Sequence, residues 1–218
     1  MYFCSMLFVY PYKKNNNIST IEHSIRWTLK QFPNAEIYII GDPVMGYNNL
    51  KPDKRSSVRG CDVTHKLLTF ARKVKGDFIY MNDDFFIGPN FNPDITWSSG
   101  NIIIKDTHAP TYQEACQNTM DALKSMGCTM MNFECHAPVK MNSQLLIDLF
   151  DSISWDGHNH FVKSIYLNYY QIPNSPAQNL KITNDVKKAQ QLLDLYGSFS
   201  CSDQWMTRRP QFEFITKH

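Results

Sequence analysis

The sequence contains no apolar run near the roughly 18 residues that a bilayer-crossing helix requires, so no such segment is expected. Nor do its six cysteines (Cys4, Cys61, Cys116, Cys128, Cys135 and Cys201) form a Cys-x-x-Cys pair; reduced thiols in a cytoplasmic protein are the simplest account. The apolar start, residues 1–10, lacks a basic flank and a small-residue cleavage site, and is expected not to be a secretory signal. Net charge is only +2, too little to mark a nucleic-acid binder by electrostatics alone. There is no internal repeat and no low-complexity tract. What the 218 residues do have is 43% hydrophobic and 13% aromatic content, enough to bury a sizeable core, and residues 1–218 are expected to form a single domain.

Taken in order, Met6-Leu7-Phe8-Val9-Tyr10 reads as a first strand, closed by Pro11. Ser19-Thr20-Ile21-Glu22 matches a capping box, and Ile18, Ile21, Ile25, Leu29 and Phe32 keep a helical period until Pro33. Glu36-Ile37-Tyr38-Ile39-Ile40 is a second strand, ending in Gly41-Asp42-Pro43. Strand, helix and strand in this span make a βαβ unit, whose crossover is right-handed and whose sheet is parallel. Residues 44–60 read as a loop, basic at Lys51, Lys54, Arg55 and Arg59; such a loop serves either a diphosphate or plain solvation. Asp62 or Thr64 is expected to cap the next helix, which carries Val63, Leu67, Phe70, Ala71 and Val74 on one face and stops at Gly76.

That helix feeds the most informative stretch, Phe78-Ile79-Tyr80-Met81-Asn82-Asp83-Asp84-Phe85-Phe86. A short apolar run that ends in polar residues is a buried strand. Two adjacent carboxylates at its tip repel one another and lose solvation. A hard divalent cation offsets that cost and bridges to phosphate oxygens. Asn-Asp-Asp is equally ordinary surface-turn chemistry, so both readings stand at this level. The carboxyl end of a strand is where ligands bind in open α/β sheets.

Further on, residues 101–105 and 130–133 read as short strands. Thr111-Tyr112-Gln113-Glu114, after Pro110, matches a second capping box, opening a helix with Tyr112, Cys116, Met120 and Leu123 inward and Gly127 at its end. Leu145, Leu146, Leu149 and Phe150 mark another helix, and residues 161–170 and 185–196 two more. The fold class is therefore α/β: a Rossmann-like mixed sheet, mainly parallel in the first half with helices on both faces, and a helix-rich second part.

The order strand, helix, strand-Gly-Asp, basic loop, helix, strand-Asn-Asp-Asp resembles the GT-A nucleotide-sugar glycosyltransferases. The Asn-Asp-Asp-Phe segment and Glu134-Cys135-His136-Ala137-Pro138 look most like the Stealth-type sugar-phosphate transferases of capsule synthesis. The likeness covers residues 6–90 in organisation and about a dozen residues in motif. It departs in lacking the longer N-terminal module, and the Asp-x-Asp signature is met only by Asn82 and Asp84. The resemblance implies a donor-binding half, 1–90, and an acceptor half, 91–218. It further implies a nucleotide-sugar donor and an acceptor hydroxyl on a glycan; the basic loop also suits a polymer such as a modified base in DNA, against which the near-neutral charge argues. By the same resemblance Asp84, with Asp83 or Asn82, holds Mn²⁺ or Mg²⁺; Asp42 faces the base or ribose; Tyr10, Pro11 and Tyr12 line the base; Lys66 reaches phosphate. A solvated helix lysine is the plainer account of Lys66.

Other candidates follow from residue type. His136, beside Glu134, suits a metal shell or a base on the acceptor hydroxyl, or is simply structural. Asp203 is either a catalytic base or a helix cap. His158 and His160 lie two apart in the ligand-rich turn Trp155-Asp156-Gly157-His158-Asn159-His160, a spacing that serves a metal or a surface turn. Arg208 and Arg209 form a late basic pair, and Trp155, Tyr166, Tyr169 and Tyr170 offer either a sugar platform or core packing. Competing activities on the same framework are a metal-dependent phosphatase or nucleotidyltransferase, or a binding module without catalysis.

Overall fold

The computed structural model describes residues 5–14, 20–182 and 185–217, apart from the side chains of Asp203 and Gln204. Strand β1 (Leu7–Tyr12), helix α1 (Thr20–Gln31) and strand β2 (Glu36–Gly41) form the βαβ unit. β1 and β2 pair in parallel, from Leu7 opposite Glu36 to Tyr12 opposite Gly41. β3 (Asn48–Leu50) adds a further parallel edge strand inside the stretch that reads as a loop. α2 (Arg59–Lys73) then carries the chain across to β4 (Asp77–Tyr80), parallel to β1 on its other side. After β5 (Phe85–Ile87), β6 (Trp97–Ser98) and α3 (Pro110–Ser125), β7 (Val139–Asn142) joins the sheet antiparallel to β4. The order is β3-β2-β1-β4-β7, a mostly parallel mixed sheet of Rossmann-like α/β type.

Strand alternation explains why a helix covers each face. Phe8, Tyr10 and Tyr12 of β1, Ile37 and Ile39 of β2 and Ile79 of β4 bury against Ile21 and Ile25 of α1. Val9, Ile40, Phe78 and Tyr80, the intervening residues, bury against Leu67, Phe70 and Ala71 of α2. A period of two along each strand sends the two apolar sets to opposite faces. Strand order also reverses at β1, with β2 and β3 on one side and β4 on the other. The carboxyl ends of β1 and β4 therefore bound the crevice where such sheets take ligands.

The second half builds a buttress around that edge. α4 (Ser143–Ser152) is capped by Asn142, whose side chain accepts from the N–H of Gln144 at 3.0 Å and of Leu145 at 3.3 Å. α5 (Val162–Tyr169), β8 (Ser175–Pro176), β9 (Lys181–Ile182), α6 (Val186–Tyr196), β10 (Ser198–Cys201), α7 (Asp203–Met206) and α8 (Arg209–Lys217) complete the chain. β10 lies in the middle of a small sheet, antiparallel to β5 and parallel to β9, while β6 pairs with β8. An aromatic cluster joins this sheet to α1 and α8: Phe86 and Phe199 stack at 5.0 Å, and the Trp27 indole N–H donates to the Ile215 carbonyl at 2.9 Å.

Several expectations are corrected. α2 starts at Arg59 after Val58, so neither Asp62 nor Thr64 is its cap; Asp62 instead accepts from Ser56 N–H at 3.2 Å and pairs with Lys66. α3 starts at Pro110 after Ala109, which places Thr111 inside the first turn, where Pro at the first position suffices. Residues 101–105 and 130–133 share one antiparallel bridge, Asn101 to Met131, and Ile103 and Ile104 stay exposed because no further strand covers them. Ser19 of the first capping box lies outside the described residues. Among the described residues no helix is long and apolar enough to cross a membrane.

Candidate active site

Met81 N–H donates to the Val9 carbonyl at 2.9 Å, the last tie between β4 and β1 before Asn-Asp-Asp leaves the sheet. The turn is short because β5 must start at once: Phe85 N–H returns to the Asn82 carbonyl at 3.2 Å, and the Tyr80 hydroxyl donates to Asn82 Oδ1 at 2.8 Å. Asp84 is then gripped from the small sheet. Its carbonyl accepts from Cys201 N–H at 3.2 Å, and its Oδ2 accepts from the Ser200 hydroxyl at 2.9 Å and from Lys181 Nζ at 3.5 Å. Its other oxygen, Oδ1, is buried and has no hydrogen-bond partner. A buried carboxylate oxygen left so is costly, roughly 1–3 kcal/mol or more for a charged group. It is also the atom that a cation would complete.

Tyr12, Asp42, Lys66 and Asp83 converge along the same edge. Burial, followed by the charges of Asp83 and Asp42, raises the Tyr12 phenol above its ordinary value. Asp42 accepts from Lys14 N–H at 2.8 Å and from the Arg55 guanidinium at 2.9 Å, and the Lys14 amide is the chief cause holding its carboxyl below the usual range. Lys66 is buried, against the expectation of a solvated lysine, because Asp62 one turn earlier pairs with it at 2.6 Å. Gly41, at φ +134°, makes this approach feasible: a Cβ there would lie 2.0 Å from the Tyr12 carbonyl oxygen and 3.1 Å from Lys66 Cε. Tyr10 is different. Its side chain is fully buried beneath α1, its hydroxyl meets Thr28 and Ser24 at 2.9 and 3.3 Å, and burial pushes its pKa up to about 12. Of the three residues expected to line the base, Pro11 is half-buried, whereas Tyr12 packs with Tyr10 in the core beneath α1.

From the second half, Glu134 and His136 reach the neighbourhood of the Asn-Asp-Asp turn through a buried lysine that sequence reasoning passed over. Lys163 Nζ sits 3.5 Å from Glu134 Oε2, donates to the Ala137 carbonyl at 3.4 Å and lies over the rings of Phe85 and Tyr80 at 5.5 and 5.9 Å. A lysine among the apolar residues Phe161, Val162 and Ile165 at this helix start was the available signal. His136 adopts φ 60°, and its Nδ1 bonds Asn179 Oδ1 at 3.0 Å, which leaves Nε2 as the lone-pair nitrogen. Burial, then the charges of Lys163 and Lys181, drive its pKa down to about 3, so the ring is neutral at pH 7. Lys181 therefore serves both Asp84 and the surroundings of His136.

The remaining candidates are placed elsewhere. Asp203 begins α7, and its side chain is outside the described residues. His160 is buried against α2, with Nε2 on the Thr64 hydroxyl at 2.8 Å and Nδ1 on the His158 carbonyl at 2.9 Å, while His158 is exposed; the two do not act as a pair. Arg208 and Arg209 are exposed, Arg209 pairing with Glu213 at 2.9 Å. Tyr166 is core, its hydroxyl accepting from Asn142 N–H at 2.9 Å. Of the basic loop, Arg55 is spent on Asp42 and Lys54 on Asp156.

The fold and this edge define an α/β protein with acidic and lysine side chains gathered at the carboxyl ends of β1, β2 and β4. No family model matches the sequence, and neither does any curated protein. Solved structures similar to it include the apo-form glycosyltransferase GlyE of Streptococcus pneumoniae, at 9% identity and TM-score 0.49, covering 97% of this chain and 60% of that one. A nucleoside-diphosphate-sugar pyrophosphorylase from Vibrio cholerae is 11% identical, at TM-score 0.46, with 98% and 100% covered. A glycosyltransferase involved in glycosylation of the major capsid of PBCV-1 is 8% identical, at TM-score 0.44, with 98% of each chain covered. The chain spans 60% of the length of GlyE.

Proposed function

We propose that the chain is a metal-dependent glycosyltransferase of GT-A type. It moves a sugar, or a sugar phosphate as the Stealth-type resemblance implies, from a nucleotide-activated donor to a hydroxyl on a glycan or modified nucleic-acid base. The observation that carries the reading is the partnerless buried Oδ1 of Asp84 at the strand-order reversal. Asp84 Oδ1 and Asp83 would hold Mn²⁺ or Mg²⁺ through hard oxygens, and His136, which among the described residues does not share one cluster of ligand atoms with them, would have to move in to join. Bound there, the ion supplies Lewis-acid stabilisation of the leaving diphosphate.

The chain's own residues do the rest. Residues 1–90 bind the donor, with Pro11, Tyr12 and Asn82 shaping the nucleoside wall and Asp42 accepting from ribose or base. Lys66, Lys181 and Arg59 lend positive charge to the diphosphate. His136, held neutral by its surroundings, suits a ligand better than a general base near pH 7. Asp203, from the acceptor half 91–218, takes the acceptor proton.

Thermal denaturation with nucleotide sugars and with bare nucleotides, each with and without Mn²⁺, tests this. A ligand that binds only the folded state raises its apparent stability. Nucleotide sugars should raise the melting temperature only with Mn²⁺, and Asp84→Ala should abolish that rise while remaining folded. Full donor binding by Asp84→Ala would refute the metal assignment; preference for bare nucleotides would point to phosphatase or nucleotidyltransferase chemistry instead.

A further inference from the structure

A second group of ligating side chains lies outside the crevice. Cys61 and His65 are one helical turn apart on α2, so both project from one face, and Asp156 comes to them from the 155–160 turn. Cys61 Sγ is 3.2 Å from Asp156 Oδ1, His65 Nε2 is 3.0 Å from the same oxygen, and all three donor atoms lie within 4.8 Å of one another. We propose that Cys61, His65 and Asp156 form a binding site for a single Zn²⁺ ion, which clamps the 155–160 turn to the start of α2.

The geometry is close to what the metal imposes. Zinc bonds of about 2.3 Å to sulfur and about 2.0–2.1 Å to nitrogen and oxygen, at tetrahedral angles, separate donors by roughly 3.3–3.5 Å. Seating the ion thus asks the two pairs that share Asp156 Oδ1 to spread by a few tenths of an ångström, while Cys61 and His65 already lie within 4.8 Å of each other. A mixed sulfur, nitrogen and oxygen set is zinc chemistry rather than Mg²⁺ or Ca²⁺ chemistry. One thiolate and one carboxylate neutralise the dication, the Cys61 proton being released as the ion enters. Water takes the fourth position.

Groups around the three donors are those a metal site needs. Gly157 N–H points at Cys61 Sγ from 3.3 Å, and the Lys54 ammonium holds Asp156 Oδ2, leaving Oδ1 for the ion. The Trp155 ring meets the His65 ring edge-on at 4.7 Å and fixes its plane. Such outer contacts orient ligands and tune the metal. The 155–160 turn is otherwise seated tightly on α2: a Cβ at Gly60 would lie 2.2 Å from the His160 carbonyl oxygen, and Gly60 N–H donates to Asn159 Oδ1 at 3.1 Å.

Titration of the chelator-stripped full-length protein with Co²⁺ alone tests the clamp. One equivalent should give intense tetrahedral d–d bands and a thiolate-to-cobalt charge-transfer absorption, both erased by Zn²⁺. Cys61→Ser should remove the charge-transfer absorption although five other cysteines remain among the six, whereas Asp84→Asn should leave it unchanged. His65→Gln and Asp156→Asn, at less buried positions, should each weaken Co²⁺ binding at least tenfold and serve if Cys61→Ser unfolds. Absence of the absorption from the folded wild type, its survival in Cys61→Ser, or full affinity in both other variants would overturn the site.

Discussion

Lowering the pH from 7 to 5 should cost this protein up to about 4 kcal/mol of stability through the buried His160 and the half-buried His136. His136 and His160 have folded pKa values near 3 and 4, both lowered from 6.5 mainly by burial. At pH 5 the unfolded chain binds a proton at each site and the folded protein binds almost none. Stability therefore rises with pH across the window from the folded value to 6.5, and falls as acid is added. Each unit within that window is worth about 1.4 kcal/mol, so 1.5 units below 6.5 gives about 2 kcal/mol per histidine. Urea unfolding at pH 7 and pH 5 with chelator present measures the difference. His136→Asn keeps a residue tolerant of φ 60° and His160→Gln keeps a polar group on Thr64; each should halve the histidine-linked loss. Because other titrations are shared between the proteins, the comparison isolates one imidazole. Identical pH dependence in wild type and His136→Asn would refute the burial argument for that ring.

Other consequences are equally direct. Gly41→Ala should destabilise by more than about 2 kcal/mol in thermal or chemical denaturation, since it meets both a backbone oxygen at 2.0 Å and a positive φ. Phe199→Ala, removing the ring stacked on Phe86, should cost about 3–5 kcal/mol in urea unfolding and loosen α8 to proteolysis. Lys163→Met strands Glu134 and should cost about 2 kcal/mol, much of it recovered in the double variant with Glu134→Gln. If the double variant is no better than the single one, the ion pair is not the source of the loss.

How much of this was legible in the sequence depends on range. β1, α1, β2, α2 and β4 were readable because local periodicity of two or 3.6 residues dictates them, and the 185–196 helix expected from the sequence is α6, capped by Asp185 on Lys187 N–H. Helix starts were less so: α2 runs back to Arg59 with no side-chain cap, because packing against residues 159–160 seats its first turn. β5, β10 and β9 are three, four and two residues long, and the pairing of β5 with β10 joins residues more than a hundred positions apart, which no local pattern encodes. The site divides in the same way. Asn82, Asp83 and Asp84 announce themselves, whereas Lys163, Lys181 and Ser200 matter only through the distant residues they touch.

The grip of β10 and β9 on Asp84 has an engineering consequence. Cutting the polypeptide before residue 198 would delete the central strand of the small sheet and, with it, the amide that holds the Asp84 carbonyl and the hydroxyl that holds its carboxylate. Residues 1–90 are therefore not a portable cassette: transplanted alone, they would present the acidic turn without its restraint.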